Sequence, residues 1–146
     1  MIADTNTGAD AVATFADLDA YIGLPRVAGL RLSPDGRRLV VGVATPNRKG
    51  NRFVSALWEV DPGGERPARR LTRSSDGESV GAFTPSGDLL FASKRPEPDG
   101  DDDATAETSL WALPAGGGDA RLLARLPGGA QGIVVARDGG QVVLAS

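Results

Sequence analysis

The chain has 146 residues, of which 40% are hydrophobic, so it is long enough to form one globular domain with a buried core. Sixteen basic and nineteen acidic residues give a net charge of −3, which excludes the strongly basic surface typical of proteins that bind nucleic acid or anionic membranes. The sequence contains no cysteine and no histidine, which excludes disulfides and the imidazole of a Ser-His-Asp triad, a Cys-His pair or a histidine-bearing zinc site.

The N-terminal part of the chain predicts a flexible segment followed by a short helix. Residues 1–13 are small, polar and acidic, without periodic apolar positions, and we expect them to be flexible. Over residues 14–26 we predict a helix and a turn, with Thr14 as N-cap and with Asp17 and Asp19 near the positive end of the helix dipole. The predicted buried face of this helix consists of Phe15, Leu18, Ala20, Tyr21 and Ile22.

From Val27 onward, short apolar or β-branched runs alternate with Gly, Pro, Asp and Asn, a pattern typical of an antiparallel all-β domain. We predict two units of four strands each and a third unit with two strands. The predicted strands of the first unit are Val27–Leu32, Arg38–Ala44, Phe53–Val60 and Ala68–Thr72. Those of the second unit are Ser79–Phe83, Asp88–Ser93, Ser109–Leu113 and Ala120–Ala124.

Two markers recur at a similar spacing along these units. The turn motif appears as SPDG, TPSG and ARDG, which end at Gly36, Gly87 and Gly139 and are therefore 51 and 52 residues apart. An LW pair in the third strand places Trp58 and Trp111 53 residues apart. A period near 50 residues with four strands per unit predicts β-propeller blades, whose apolar faces are covered by neighbouring blades.

The predicted fold class is therefore all-β: a partial β-propeller of two four-stranded antiparallel blades plus half of a third, preceded by a short N-terminal helix. Within an incomplete propeller at 27–146, blade one spans about 27–72, blade two about 79–124 and the half blade about 130–146. Closed propellers need roughly four to eight blades, so we expect the chain to be the N-terminal piece of a longer protein.

An acidic stretch between the second and third strands of blade two is the first candidate site. In KRPEPDGDDDATAET, residues 94–108, the carboxylates of Asp99, Asp101 and Asp103 alternate as ligands do in some calcium loops. The glycine and the glutamate of that pattern are missing at the sixth and twelfth positions, so we predict a solvated loop. The matching loop of blade one, ATPNRKGNRF, is basic. We predict that the two loops are separate, solvated hairpin tips. The alternative is that the basic loop faces the acidic loop, where the two could steer a substrate or pair across the blades.

Aromatic and basic residues give further candidates. Trp58 and Trp111 are possible stacking platforms for a ligand, but their matching places in the repeat predict packing positions between sheets. Four arginines near the outer strands are candidates for a channel that binds peptide carboxylates, and we predict that they are exposed and form no site: Arg69, Arg70, Arg121 and Arg125. No phosphate loop and no G-x-S-x-G elbow occurs, so we predict no catalytic, cofactor-binding or metal-binding residue in this chain.

The helix and the repeated motifs together resemble one family. The combination of FADLDAYIGLPRVAGLRLSPDGRRLVVGV, LWEVDPGGERPARRLT and FTPSGDLLFAS is similar to the N-terminal region of the prolyl oligopeptidase family, most closely its acylaminoacyl-peptidase-like bacterial members. The resemblance covers about Phe15 to Ser146. SPDG hairpins and LW strands also occur in TolB-like propellers, so a non-enzymatic propeller that binds partner proteins is the alternative.

The resemblance implies a serine peptidase that acts on short or N-blocked peptides. Its Ser, Asp and His are implied to come from a C-terminal α/β-hydrolase domain outside this chain, and none of them maps onto this sequence. The implied partners are short peptide substrates and the remainder of the same protein, with a homo-oligomer also possible. We expect no cofactor, nucleic acid or membrane partner, and the absence of cysteine and of long apolar runs leads us to expect a cytoplasmic protein.

Overall fold

The computed structural model describes residues 17–96 and 107–145, which form one short helix and ten strands. The helix α1 spans Leu18–Gly23. The strands are β1 (Arg26–Leu32), β2 (Leu39–Pro46), β3 (Phe53–Val60), β4 (Arg69–Arg70), β5 (Glu78–Phe83), β6 (Leu89–Ser93), β7 (Ser109–Leu113), β8 (Arg121–Arg125), β9 (Gly132–Val135) and β10 (Val142–Ala145). Every predicted strand of the first two units is present, with each end within two residues of its predicted position.

The ten strands form two four-stranded sheets and one separate hairpin. The first sheet has the order β1-β2-β3-β4, the second has the order β5-β6-β7-β8, and β9 pairs only with β10. All pairings are antiparallel, and strand order follows chain order, so short connections suffice between neighbours. The described part of the chain is therefore mostly β, with antiparallel sheets and one short helix.

The recurring glycine motif forms the same turn in each of the three units. The N–H groups of Gly36, Gly87 and Gly139 each donate to the carbonyl oxygen three residues earlier, with an N···O distance of 2.9 Å. The φ angles of the three glycines are 73°, 88° and 73°. Residues with a Cβ avoid this left-handed region, so the backbone of each turn itself requires glycine.

The hairpin loop that contains this turn is one residue longer in the first unit than in the second. In the first hairpin the N–H of Ser33 donates to the carbonyl of Arg38, whereas in the second hairpin the N–H of Thr84 donates to the carbonyl of Asp88. Successive side chains on a strand point to opposite faces. When the two units are aligned on their turn glycines, the extra residue therefore exchanges the residues of the following strand that face the core with those that face away from it.

Buried apolar side chains fill the two spaces between these three layers. The space between the first and second sheets contains Val40, Leu57, Phe83, Leu89, Phe91, Trp111 and Leu113. The other face of the second sheet packs against the β9–β10 hairpin through Leu90, Ala92, Leu110, Ala112 and Ile133. The central strands β6 and β7 are buried along their whole length, which explains why LLFAS and SLWAL lack the polar alternation of a half-exposed strand.

Strand β5 links the three layers. It contacts β1, β2 and β3 of the first sheet and β9 of the hairpin, whereas no comparable contact joins β4 to β8 among the described residues. Glycines at bulges in β1 and β5 permit this approach. A Cβ at Gly29 would clash with Val80, and a Cβ at Gly81 would lie 2.7 Å from Cδ1 of Ile133. These two glycines therefore let β5 lie close to both neighbouring layers.

The outer face of the first sheet is apolar, and no other described sheet covers it. This surface, which we call the first flank, carries Val27, Leu30, Leu32, Leu39, Val41, Val43, Val54, Ala56, Trp58 and Val60. Its β1 side chains are the most exposed, with Val27 at 70% and Leu30 at 55%. At the other end of the stack, Val134 and Val143 pair on the outward face of the β9–β10 hairpin and are 63% and 60% exposed. We call this second surface the second flank.

The start of the helix differs from the prediction. Asp17 is the N-cap in place of Thr14, because Oδ1 of Asp17 accepts hydrogen bonds from the N–H groups of Asp19 and Ala20 at 3.0 and 3.4 Å. Thr14 itself and the predicted flexible segment 1–13 lie outside the described residues.

The predicted buried face of the helix is wrong for every residue that the structure describes. Leu18, Tyr21 and Ile22 are 68%, 49% and 41% exposed, and no residue of α1 is buried. The helix has only six residues, and its main contact among the described elements is with β2, so it does not cover its apolar side chains. Phe15 lies outside the described residues.

Candidate functional site

A concave surface lined by cationic side chains lies at the end of the first sheet that is opposite the SPDG turn. It is formed by the β2–β3 hairpin and by the connection from β4 to β5, and its volume is about 630 Å³. Five of the lining residues are cationic and none is acidic: Arg48, Lys49, Arg52, Arg70 and Arg73. We call this surface the basic groove.

A tight turn shapes the hairpin side of the basic groove. The carbonyl of Asn47 accepts from the N–H of Gly50 at 2.9 Å, and Oδ1 of Asn47 accepts from the N–H of Asn51 at 3.1 Å. Asparagine favours such turns because its side chain bonds to nearby backbone groups. Arg48 and Lys49 lie at the tip and are exposed, which confirms the predicted solvated tip for this loop.

Two arginines of the groove are held in place by backbone carbonyls. Nη2 of Arg52 donates to the carbonyl of Ser75 at 3.1 Å, and Nε of Arg70 donates to the carbonyl of Thr72 at 2.7 Å. The nearest carboxylate is that of Asp76, whose Oδ1 lies 3.7 Å from Nη2 of Arg52. One exposed carboxylate does not balance five cations, so the groove attracts anions.

The other cations of the groove lack acidic partners. Arg48, Lys49 and Arg73 form no ion pair with any residue in the described part of the chain. Exposed arginine and lysine without a carboxylate neighbour keep their full complement of N–H donors for an external anion.

A buried carboxylate lies between the two four-stranded sheets. The side chain of Glu78 is fully buried, and its Oε1 accepts from Nη2 of Arg95 at 3.0 Å and from the N–H of Ser74 at 3.1 Å. Oε2 of Glu78 accepts from Oγ1 of Thr72 at 2.8 Å. Thr72 Oγ1 in turn accepts from the N–H of Leu57 at 2.9 Å, so this network joins the β4–β5 connection to both sheets. These contacts give Glu78 a structural role.

The Arg95 guanidinium stacks on aromatic rings of the second sheet. Its Cζ lies 5.1 Å from the ring centre of Phe91 and 5.0 Å from that of Trp111. Nε of Arg95 and Nε1 of Trp111 are buried and have no hydrogen-bond acceptor.

A second charged network lies at the opposite end of the first sheet. Oε1 of Glu59 accepts from Nε of Arg38 at 2.9 Å, and Oε2 accepts from Nη2 of Arg69 at 2.7 Å. Burial opposes ionisation of Glu59, but the hydrogen bonds from Arg69 and Arg38 outweigh it and hold the pKa of Glu59 below its ordinary value. Nη1 of Arg38 also donates to the carbonyl of Gly87 at 3.2 Å, which ties this network to the second sheet.

The two tryptophans occupy matching places but differ in burial. Trp111 pairs with Phe91, is 1% exposed and lies in the space between the sheets, which confirms the predicted packing role. Trp58 pairs with Val41 on the first flank and is only partly buried, because no described sheet faces it.

The four arginines near the outer strands do not form one site. All four are exposed, as predicted: Arg69 and Arg70 on β4, and Arg121 and Arg125 at the two ends of β8. Arg69 binds Glu59, and Nη2 of Arg121 lies 3.7 Å from Oδ2 of Asp88. Arg70 instead lines the basic groove, a role that the sequence did not assign to it.

The acidic candidates of the second unit, Asp99, Asp101 and Asp103, lie outside the described residues. Within residues 17–96 and 107–145, no group of three or more histidine, cysteine, aspartate or glutamate side chains is positioned to hold a metal ion. No helix of these residues has the length and apolar character needed to cross a membrane.

Comparison with known proteins identifies no family for this chain. No family model matches the sequence, and no curated protein matches it.

Proposed function

We propose that this chain is the N-terminal β-propeller part of a serine peptidase that resembles the acylaminoacyl peptidases of the prolyl oligopeptidase family. In this proposal the three layers are two blades and half of a third. Further blades and a hydrolase domain with the catalytic residues belong to the same protein. The assignment to a peptidase depends on the sequence resemblance, because comparison identifies no family.

The observation that carries the propeller proposal is the pair of open apolar flanks on a stack of repeated antiparallel sheets. Two sheets with the same four-stranded antiparallel order that pack against each other support neighbouring blades of a propeller. Eight of the ten apolar side chains of the first flank are at least partly exposed, which favours coverage by another sheet of the same kind, since an exposed apolar surface marks an interaction site.

The proposed role of the chain is to filter substrates. A ring of blades over an active site excludes folded proteins by size and admits short or N-blocked peptides, and it shields the reaction from bulk water. The chain has no histidine, so the acid–base steps of serine acylation belong to the other domain. We place this enzyme in the cytoplasm, in keeping with a chain that contains no cysteine.

A comparison of two polypeptides tests this proposal. The full-length gene product should hydrolyse a chromogenic acyl-aminoacyl substrate and react with a fluorophosphonate probe, and the 146-residue chain alone should do neither. Hydrolysis by the 146-residue chain would contradict the proposed division of roles. A gene without a downstream G-x-S-x-G sequence followed by Asp and His would contradict the peptidase assignment.

The alternative is a non-enzymatic TolB-like propeller that binds partner proteins. The basic groove favours this alternative, because it gives the chain a charged concave surface that requires no catalytic domain. A full-length product that has further blades, no hydrolase domain and a partner recovered at this surface would support it.

A further inference from the structure

The basic groove concentrates positive charge in a chain whose net charge is negative. Five cations line it, although the whole chain carries a net charge of −3. Four of the five, all except Arg52, have no ion-pair partner among the described residues. We propose that this groove is a binding site for acidic peptide segments. The inference does not depend on the peptidase assignment, because every lining residue of the groove belongs to this chain; Val54 lies where the groove meets the first flank.

The placement of the cations favours a ligand with several separated charges. Arg48, Lys49 and Arg52 belong to the β2–β3 hairpin, whereas Arg70 and Arg73 belong to the end of β4 and the segment after it. A single phosphate is best held by donors that converge from one loop or helix end. Cations on two facing segments suit carboxylates spaced along an extended peptide.

The other lining residues disfavour a nucleic acid. The basic groove has no Phe, Tyr or Trp, so it offers no aromatic face on which a base can stack. Its apolar lining consists of Pro46 and Val54 and the stems of the basic side chains. A volume of about 630 Å³ falls within the usual range for a ligand site and suits a segment of a few residues.

Two guanidinium groups of the groove are already oriented. Arg52 uses Nη2, and Arg70 uses Nε, to bond to backbone carbonyls at 3.1 and 2.7 Å. The remaining N–H groups of each planar guanidinium point in directions fixed by these bonds. Less side-chain entropy is then lost when a carboxylate binds, and a bidentate contact becomes possible.

The experiment measures fluorescence anisotropy of a labelled, end-blocked peptide that contains four glutamates, with a glutamine version of the same peptide as the first control. The test variant is Arg48→Glu with Lys49→Glu, both at the exposed hairpin tip. The control variant is Arg37→Glu with Arg137→Glu, which makes the same change in net charge in exposed turns at the opposite end. We expect the glutamate peptide to bind the test variant about tenfold more weakly, and the control variant within about twofold of the unmodified chain.

Raising the salt concentration should weaken binding of the glutamate peptide to the unmodified chain. The proposal is overturned by equal binding of the two peptides, or by equal losses in the two variants, since either result shows that the groove is not the site. Tighter binding of tripolyphosphate or of a single-stranded oligonucleotide would also overturn it, because the ligand class would then be a phosphate. None of these measurements requires hydrolysis, so failure of the peptidase proposal leaves them interpretable.

Discussion

Replacing each tryptophan with alanine, one at a time, tests whether the first flank is open. Trp58 and Trp111 have matching places in β3 and β7, but only Trp111 lies between two sheets. Trp111 is 1% exposed, and loss of a fully buried tryptophan removes its transfer free energy and leaves a cavity, which together cost about 3–5 kcal/mol. Trp58 has no sheet facing it, so its replacement should cost about 1–2 kcal/mol.

The free energy of unfolding should be measured by urea titration followed by far-UV circular dichroism, because both variants remove a fluorophore. Acrylamide quenching of the same variants gives an independent measurement of exposure. The fluorescence that remains in the Trp111→Ala chain comes from Trp58 and should be quenched readily, whereas that of the Trp58→Ala chain should be protected. Equal losses of stability and equal quenching would show that Trp58 is covered, and they would refute the open first flank.

Three further predictions concern packing and charge. Gly81→Ala should lower the free energy of unfolding by about 1–3 kcal/mol in urea titration, because the new Cβ would lie 2.5 Å from the carbonyl oxygen of Leu90. In the control variant Gly116→Ala, the new Cβ would have no atom within 4 Å, so the free energy of unfolding should be nearly unchanged. Glu59→Gln should destabilise the chain most near neutral pH. The pKa of Glu59 is lowered by folding, so the stabilisation it provides is complete above its ordinary pKa and is lost as the pH falls through its lowered folded pKa. A gap in melting temperature that does not close in acid would contradict this assignment. Glu78→Gln should lower the free energy of unfolding by about 2–3 kcal/mol, because the charge of Arg95 loses its partner. Adding Arg95→Leu should recover part of this loss. If no stability is recovered, the ion pair is not the cause.

The strands and turns were predictable from the sequence because they depend on local chemistry. Glycine at positive φ ends each recurring motif, and the apolar runs on either side supply the strands. The exact correspondence between residues of the two units was less predictable. Alignment on Gly36 and Gly87 matches residues that are 51 apart. In the structure, Val41 pairs with Trp58 and Phe91 pairs with Trp111, so Val41 corresponds to Phe91, 50 residues away, because the first hairpin loop is longer.

The charged contacts were largely missed because they join segments that are distant in sequence. Glu78 begins a strand that is otherwise apolar or small, and its partner Arg95 is 17 residues away. A lone carboxylate in such a strand is a signal for a buried pair, but it does not identify the partner. The basic groove likewise combines a hairpin whose basic character is visible in the sequence with Arg70 and Arg73, which tertiary structure brings beside it.

The helix was misjudged for a related reason. Its apolar spacing indicated a buried face, but a periodic pattern shows only which side chains share a surface and does not show whether another element covers that surface. Leu18 is 68% exposed because no described neighbour lies over it.

The two flanks are different surfaces, and this asymmetry governs how copies of the chain can associate. A contact between the first flank of one molecule and the second flank of another has no two-fold axis. The product again displays one free flank of each kind, so every addition recreates the surfaces that allowed it. Such growth ends only if successive rotations close a circle; otherwise it yields polar filaments of indefinite length and never a self-limited pair.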